Sequence, residues 1–177
     1  MSEKVTVKQL EQRLARFEAQ EIIRSCMNKY MAICDDLDAK TDLDELMGLF
    51  SDEAVWEGVG RYAKSFGRLE GQSEIRAMFA KYTVEPSHFS LNVHFLTNEE
   101  IEVLEVGEED QAIGNWLLLQ TSTFASGKSQ LSCAKITARF EKAKDGEWRI
   151  AHFQTERKFS RPVVDPWEAE ADLPVPE

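Results

Sequence analysis

The chain has 177 residues, of which 42% are hydrophobic, 30% charged and 10% aromatic, a length and composition that fit one globule with a single core and leave no room for two. No window approaches 18 uncharged apolar residues, so no membrane-spanning helix is expected. The polar residues 1–8 precede no apolar run of the signal-peptide kind, so the expected compartment is the cytoplasm. The formal charge is −11, of which Asp165, Glu168, Glu170, Asp172 and Glu177 carry five after the last basic residue, Arg161. With no basic patch to offset it, that field repels nucleic acid and anionic membrane surfaces.

Residues 7–37 contain neither Pro nor Gly and carry apolar side chains at Val7, Leu10, Leu14 and Phe17, then at Ile22, Cys26, Tyr30 and Cys34. The three- and four-residue spacing predicts an amphipathic helix. The apolar set slips by one position after Phe17. Either the helix is interrupted near 18–20, or its first part faces a different surface. Residues 1–20 therefore read as a helical extension whose stripe meets a partner subunit or the outside of the domain. A second helix is predicted over 42–50, capped by Thr41 or Asp42.

Residues 54–57 read as a strand, 58–60 as a turn and 61–69 as a second strand. A third helix is predicted over 71–82, with Ser73 as its cap and Pro86 closing it. The period then changes to two. Strands are predicted over 88–97, 99–106, 112–125, 131–142 and 148–159, with turns at 107–110, 126–127 and 145–146. Ile136, Ala138 and Phe140 alternate with Lys135, Thr137, Arg139 and Glu141, the pattern of a sheet with one buried and one wet face. Helices first and an antiparallel meander afterwards define an α+β domain spanning 1–161. Residues 162–177 hold four of the five prolines and read as an acidic surface tail.

Three cysteines do not make a disulfide framework. Cys26 and Cys34, eight residues apart on one helix, are separated by about 12 Å, beyond the roughly 7 Å a disulfide bridges. There is no C-x-x-C pair and no zinc-type His/Cys spacing, and the acidic run over 99–110 lacks the alternating loop that holds calcium, so no metal is expected. Walker, nucleophile-elbow and dinucleotide motifs are also missing from the sequence, so no cofactor is expected.

Several features in this order do carry a family signal. They are a helix ending in Tyr30, Asp35 and Asp36; the segment 46–57, Leu-Met-Gly-Leu-Phe-Ser-Asp-Glu-Ala-Val-Trp-Glu; Gly67 with Glu70-Gly71; His94; and Gly146-Glu147-Trp148-Arg149-Ile150. Together, over about residues 20–160, they resemble the SnoaL-like branch of the nuclear transport factor 2-like (NTF2-like) superfamily. That resemblance implies a curved mixed or antiparallel sheet wrapped around N-terminal helices into a cone with an apolar pocket. The superfamily includes polyketide cyclases, scytalone dehydratase, dehydrochlorinases, bile-acid dehydratase and ketosteroid isomerase, beside non-catalytic members such as ring-hydroxylating dioxygenase β subunits. The fold therefore leaves the chemistry open.

In the dehydratase and dehydrochlorinase relatives a strand His pairs with an Asp from the end of the first helix. The matching residues are His94 and either Asp35 or Asp36; the spacing from Tyr30 leans to Asp35. A neutral imidazole is a competent base near neutral pH, and an adjacent carboxylate stabilises the imidazolium. Tyr30 matches a tyrosine that donates to a substrate oxygen. On the strand 112–125, Trp116, Leu118 and Gln120 share one face and Asn115 the other; Trp116 and Gln120 are expected to meet the pocket. Asn115, from a Gly-Asn-Trp stretch resembling one that lines the family's pocket, and Trp56 are further ligand contacts. The bile-acid dehydratase pattern has an aspartate where Gln120 stands, a departure that removes a carboxylate. Arg157 matches a basic residue that binds an acidic substrate group, while His88 and His152 are weaker candidates. The resemblance thus implies a cofactor-independent lyase, dehydratase or isomerase acting on a small hydrophobic ring compound, steroid, polyketide or aromatic. The alternative is a non-catalytic ligand-binding or assembly subunit. A homo-oligomer, dimer or trimer, is expected from the apolar N-terminal stripe.

Overall fold

The structure, a computed structural model, describes residues 5–105 and 110–167. It opens on helix α1, Val7–Asp35, whose Thr6 and Gln9 form a reciprocal capping box. The helix runs through 18–20 without a break. Its two halves differ in surroundings instead: Val7, Leu10, Leu14 and Phe17 are exposed, whereas Ala19, Ile23, Cys26, Met27, Tyr30, Met31 and Cys34 are buried. Ile22, expected inside, is exposed and Ile23 takes its place.

Helix α2, Leu43–Met47, is capped by the Asp42 carboxylate, which accepts from the amides of Asp44 and Glu45. It stops short of Phe50, which begins strand β1, Phe50–Val59. The strand expected over 61–69 is mostly not one. Gly60–Tyr62 is a 3-10 turn, Ala63–Phe66 is helix α3, and only Arg68–Glu70 forms strand β2. Gly60 and Gly67 bracket this segment at φ +55° and +66°, breaking the extended chain. Between them Tyr62 and Phe66, one helical turn apart, pack edge to face at 5.0 Å. Helix α4, Gly71–Phe79, is entered from Glu70 and not capped by Ser73; the Glu70 amide donates to the Glu74 carboxylate.

Four long strands follow: β3, Phe89–Glu105; β4, Gln111–Phe124; β5, Ser129–Lys142; and β6, Trp148–Val163. The two strands expected on either side of residue 98 are one. Asn98 takes φ +52°, and the register against β4 shifts between Thr97 and Glu100, so the strand bends there without ending. Of the expected turn over 107–110, residues 107–109 lie outside the described residues. The sheet order is β2-β1-β6-β5-β4-β3, with β1 parallel to β6 and the other pairs antiparallel. Strand β6 continues into the expected tail: Pro162 pairs with Gln130, beyond Glu156, the last partner of β1 at Val59, so its missing amide meets no β1 neighbour. Trp167 then lies against the sheet, its amide donating to Thr123 Oγ1 and its indole to the Gln130 carbonyl. The rest of the expected tail, 168–177, lies outside the described residues.

The concave face of the sheet, with α1 and α4 against it, forms the core through Trp116, Leu118, Ile136, Ala138, Phe140, Ile150 and Phe153. Here a glycine has a packing reason. A Cβ on Gly114 would stand 2.1 Å from Cη2 of Trp116, whose buried ring folds back over it. Gly114→Ala should therefore destabilise by about 1–3 kcal/mol through overpacking, read as a lower urea midpoint at unchanged slope.

The convex face carries a polar cluster around Glu57. Its Oε1 accepts from Gln154 Nε2 at 2.6 Å and His152 Nε2 at 2.8 Å, and its Oε2 accepts from Arg68 Nη1 at 3.1 Å. The Gln154 hydrogen bond, followed by those from His152 and Arg68, outweighs desolvation and holds the Glu57 carboxyl below the usual carboxylate range. A lowered folded-state pKa adds stability above the unfolded value of about 4.3 that is lost as pH falls through the folded one. The stability advantage of wild type over Glu57→Gln should thus be full at pH 6 and shrink below about pH 4.3. Urea midpoints of both proteins at pH 6 and pH 3 measure this.

Candidate active site

At the open end of the cone, between the C-terminal half of α1, the α3–α4 segment and the sheet, lies a cavity of about 150 Å³. Its wall is largely apolar, with Tyr30, Trp56, Phe66, Leu118, Ile136 and Phe153 among its lining residues. The polar groups reaching it include His94, Gln120, Asn92, Ser132 and Thr155. Few polar groups in an apolar concavity is the composition of a small-molecule site.

His94 sits mid-β3 and Asp35 is the last residue of α1, so a strand and a helix terminus bring together groups 59 positions apart. Asp35 Oδ1 lies 2.6 Å from His94 Nδ1 and also accepts the His94 backbone amide at 2.9 Å. An ionised carboxylate has no proton to give, so this contact places the ring hydrogen on Nδ1 and leaves Nε2 with a free lone pair. The two side chains are 11% and 24% exposed, which keeps the pair out of bulk water. Asp36 is not brought to His94. It is the C-cap of α1 and exposed, and with Asp35 and Asp38 it borders an outer cleft beside Ser87 and Ser90.

Tyr30 lies in the floor of the cavity with its ring edge-on to Phe50 and Phe79. Its hydroxyl accepts from Trp56 Nε1 at 3.0 Å, and burial pushes its pKa well above the ordinary value. Burial likewise pushes the Cys34 and Cys26 thiols up to about 12, so neither supplies a thiolate near neutral pH.

The remaining expected contacts divide. Trp56 and Gln120 line the cavity. Trp116 faces inward as its period requires, but one level too deep: its indole packs against Phe140 and donates to Glu99 Oε2 at 3.3 Å, and it does not form the cavity wall. Asn115 is on the opposite face, accepting from Thr137 Oγ1 at 2.9 Å. Arg157 does not line the cavity; its guanidinium stands 5.5 Å from the centre of the Tyr62 ring, which does. His88 is packed among Tyr82, Phe89 and Phe124, and His152 belongs to the convex cluster. Asn92 and Ser132 were missed. Asn92 precedes His94 by two on the same strand, so period two alone could have placed it on the cavity face; Ser132 enters through its pairing with Gln120 across β4 and β5. Among the described residues no three His, Cys, Asp or Glu side chains converge to hold a metal ion.

The SnoaL-like domain family matches residues 15–154. The chain belongs to the SnoaL-like family. Its solved neighbours share the cone fold that the sequence implied. This SnoaL-like chain superposes on a candidate aromatic ring hydroxylase from Novosphingobium aromaticivorans at TM-score 0.67 and 16% identity, covering 84% of this chain and 95% of that one. A candidate scytalone dehydratase from the same organism gives TM-score 0.68 at 12% identity, covering 88% and 97%. The hexachlorocyclohexane dehydrochlorinase LinA-type3 from Novosphingobium barchaimii gives 0.63 at 20% identity, covering 92% and 97%. At these identities the likeness is one of fold. No protein of curated function matches the SnoaL-like chain in sequence, and no described helix is long and apolar enough to cross a membrane.

Proposed function

We propose that this SnoaL-like protein is a cofactor-independent lyase, dehydratase or isomerase acting on a small hydrophobic ring compound, steroid, polyketide or aromatic. The observation that carries the reading is the 2.6 Å contact between His94 Nδ1 and Asp35 at the edge of an apolar cavity. Nε2 of His94 takes a proton from a ring carbon, and the C–H electron pair forms a double bond. In an elimination, the bond to a neighbouring hydroxyl or halide breaks and the group leaves with its electrons; in an isomerisation, the proton returns at another carbon. Asp35 holds the tautomer and offsets the imidazolium charge. Tyr30 and Trp56 shape the floor, and Arg157, over the Tyr62 ring, suits an acidic substituent that projects past Tyr62. A cavity of about 150 Å³ takes one ring, and a larger skeleton extends past Tyr62. The names of two neighbours, a dehydratase and a dehydrochlorinase, are those of eliminations and support the same reading.

The test is a panel of cyclic hydroxyketones, hydroxylated aromatics and halogenated rings incubated in D2O, read by mass spectrometry for lost water or halide and for deuterium at carbon. Enzyme-dependent exchange that vanishes in His94→Ala is the expected result. Ligands that bind with no exchange across the panel would make the protein a binding module, and a larger subunit copurifying in native mass spectrometry would make it an assembly subunit.

We propose further that the chain is a homo-oligomer, dimer or trimer, joined through α1. Val7, Leu10, Leu14 and Phe17 follow the 3-4-3 spacing of a coiled-coil seam and are 53–71% exposed. Arg13 and Glu18 flank that seam five residues apart, the spacing at which opposite charges meet between parallel helices. Leu10→Lys with Leu14→Lys should then shift the sedimenting species to monomer; a wild type that already sediments as a monomer at 100 μM would remove the proposal.

A further inference from the structure

The orientation of one amide in the cavity follows from a backbone carbonyl at the end of a helix. The last carbonyls of α1 have no partner within the helix. One of them, that of Cys34, accepts from Asn92 Nδ2 at 3.0 Å. A carbonyl can only accept, so the amino end of Asn92 must face it and its Oδ1 must face the other way. That oxygen accepts from Gln120 Nε2 at 2.8 Å and from Ser122 Oγ at 2.9 Å. The amino end of Gln120 is thereby turned towards Asn92. Its Oε1 has no protein hydrogen bond among the described residues, and Gln120 lines the cavity.

Gln120 is the direct partner of His94 across β3 and β4, and such partners have Cβ atoms about 4.5–5.5 Å apart. The cavity thus holds two neighbouring acceptors in an apolar wall, His94 Nε2 and Gln120 Oε1. We infer that Gln120, locked by Asn92, is a specificity residue that selects ligands with a hydroxyl donor beside the carbon His94 addresses. The group complementary to Oε1 is O–H; an ether oxygen at the same place sets acceptor against acceptor and leaves a buried polar atom unpaired. The substrate class narrows accordingly to hydroxylated rings. Asn92 is a positioning residue, since its carbonyl oxygen and its amino group are already engaged by the protein. The inference rests on the cavity being the ligand site, as proposed above, but not on His94 acting as a base.

The test is equilibrium calorimetry with 4-ethylphenol and 4-ethylanisole, one-ring probes of which the second carries a methyl group in place of the donor hydrogen, a size difference that the Gln120→Met ratio controls for. Wild type should bind the phenol about five- to tenfold more tightly, the worth of one hydrogen bond. In Gln120→Met, near in shape but without the acceptor, the ratio should fall to near one. In Asn92→Leu the ratio should also fall, an effect that mere loosening of the fold, which weakens both probes alike, does not produce; thermal unfolding checks that each variant is folded. Equal affinities in wild type, or a ratio that survives Gln120→Met, overturn the inference, the latter by assigning the hydroxyl to another group such as His94. A ratio lost in Gln120→Met but kept in Asn92→Leu overturns the role of Asn92. If neither probe binds wild type, the cavity is not the site and the inference falls with it. Deuterium exchange alongside equal probe affinities would sink this inference while leaving the acid–base reading standing.

Discussion

His94→Ala should lower enzyme-dependent deuterium exchange or elimination by roughly 10²–10⁴-fold, the usual contribution of a positioned general base. Asp35 holds His94 at two points, the ring through Nδ1 and the chain through the backbone amide, so removing the ring subtracts the base without removing the backbone contact that ties β3 to α1. Asp35→Asn should fall nearly as far for a different reason. An amide in place of the carboxylate can turn its amino group to Nδ1, which moves the ring proton to Nε2 and leaves no lone pair facing the ligand. Asp36→Asn, one residue away but the exposed C-cap of α1, should change the rate less than twofold. Comparable losses in the two aspartate variants would show that the helix end matters as a whole and would remove Asp35 from the mechanism. Unchanged exchange in His94→Ala would remove the mechanism itself.

The architecture was legible where one physical signal dominated. In strand β5 the sequence alternates from Lys135 to Glu141 and the burial follows it, and period two over that length has one interpretation. The segment 61–69 also alternates, but only the dihedrals of Gly60 and Gly67 show that its chain turns twice and that Tyr62 and Phe66 meet as helical neighbours. The one-position slip after Phe17 arises without a break, because the first half of one continuous helix of 29 residues lies outside the core that its second half enters; an unpartnered half and a kinked half share one sequence pattern. Trp116 shows the limit of face counting. Periodicity assigns a side of the sheet correctly, but depth along the strand depends on where the helices stop, and Trp116 sits beneath the floor that Leu118 and Gln120 help to line. Between Asp35 and Asp36 the sequence offered only a spacing; the helix ends at the first and turns the second outward. The Asn92–Gln120 lock could not be read at all, since it needs the register of β3 on β4 and the carbonyl of Cys34 in one place.

Phe50→Ala should be the most damaging single truncation, destabilising by about 3–5 kcal/mol and lowering the melting temperature by about 6–20 °C for a chain of this size. Phe50 is fully buried where β1 leaves α2, paired in register with Ile150. Its ring meets Tyr30 edge-on at 5.7 Å, and its carbonyl is held by Gln72 Nε2 at 2.8 Å. The backbone on both sides is pinned, since Ile150 donates to the Leu49 carbonyl at 2.8 Å, so the strand is poorly placed to move into the space left by the ring. A gap that cannot collapse carries the cavity penalty on top of the lost burial. The same change unsupports Tyr30, whose hydroxyl accepts from Trp56 in the cavity floor, so affinity for a one-ring probe should weaken with stability although Phe50 itself does not line the cavity. Leu14→Ala is the counterpart: Leu14 is 58% exposed on the unpartnered half of α1 and should change the stability of the isolated chain by less than about 0.5 kcal/mol. Urea unfolding of the two variants, with Phe50→Ala costing less than about 1 kcal/mol, would show that α1 or Tyr30 shifts to fill the gap, and that the floor of the site is softer than its contacts imply.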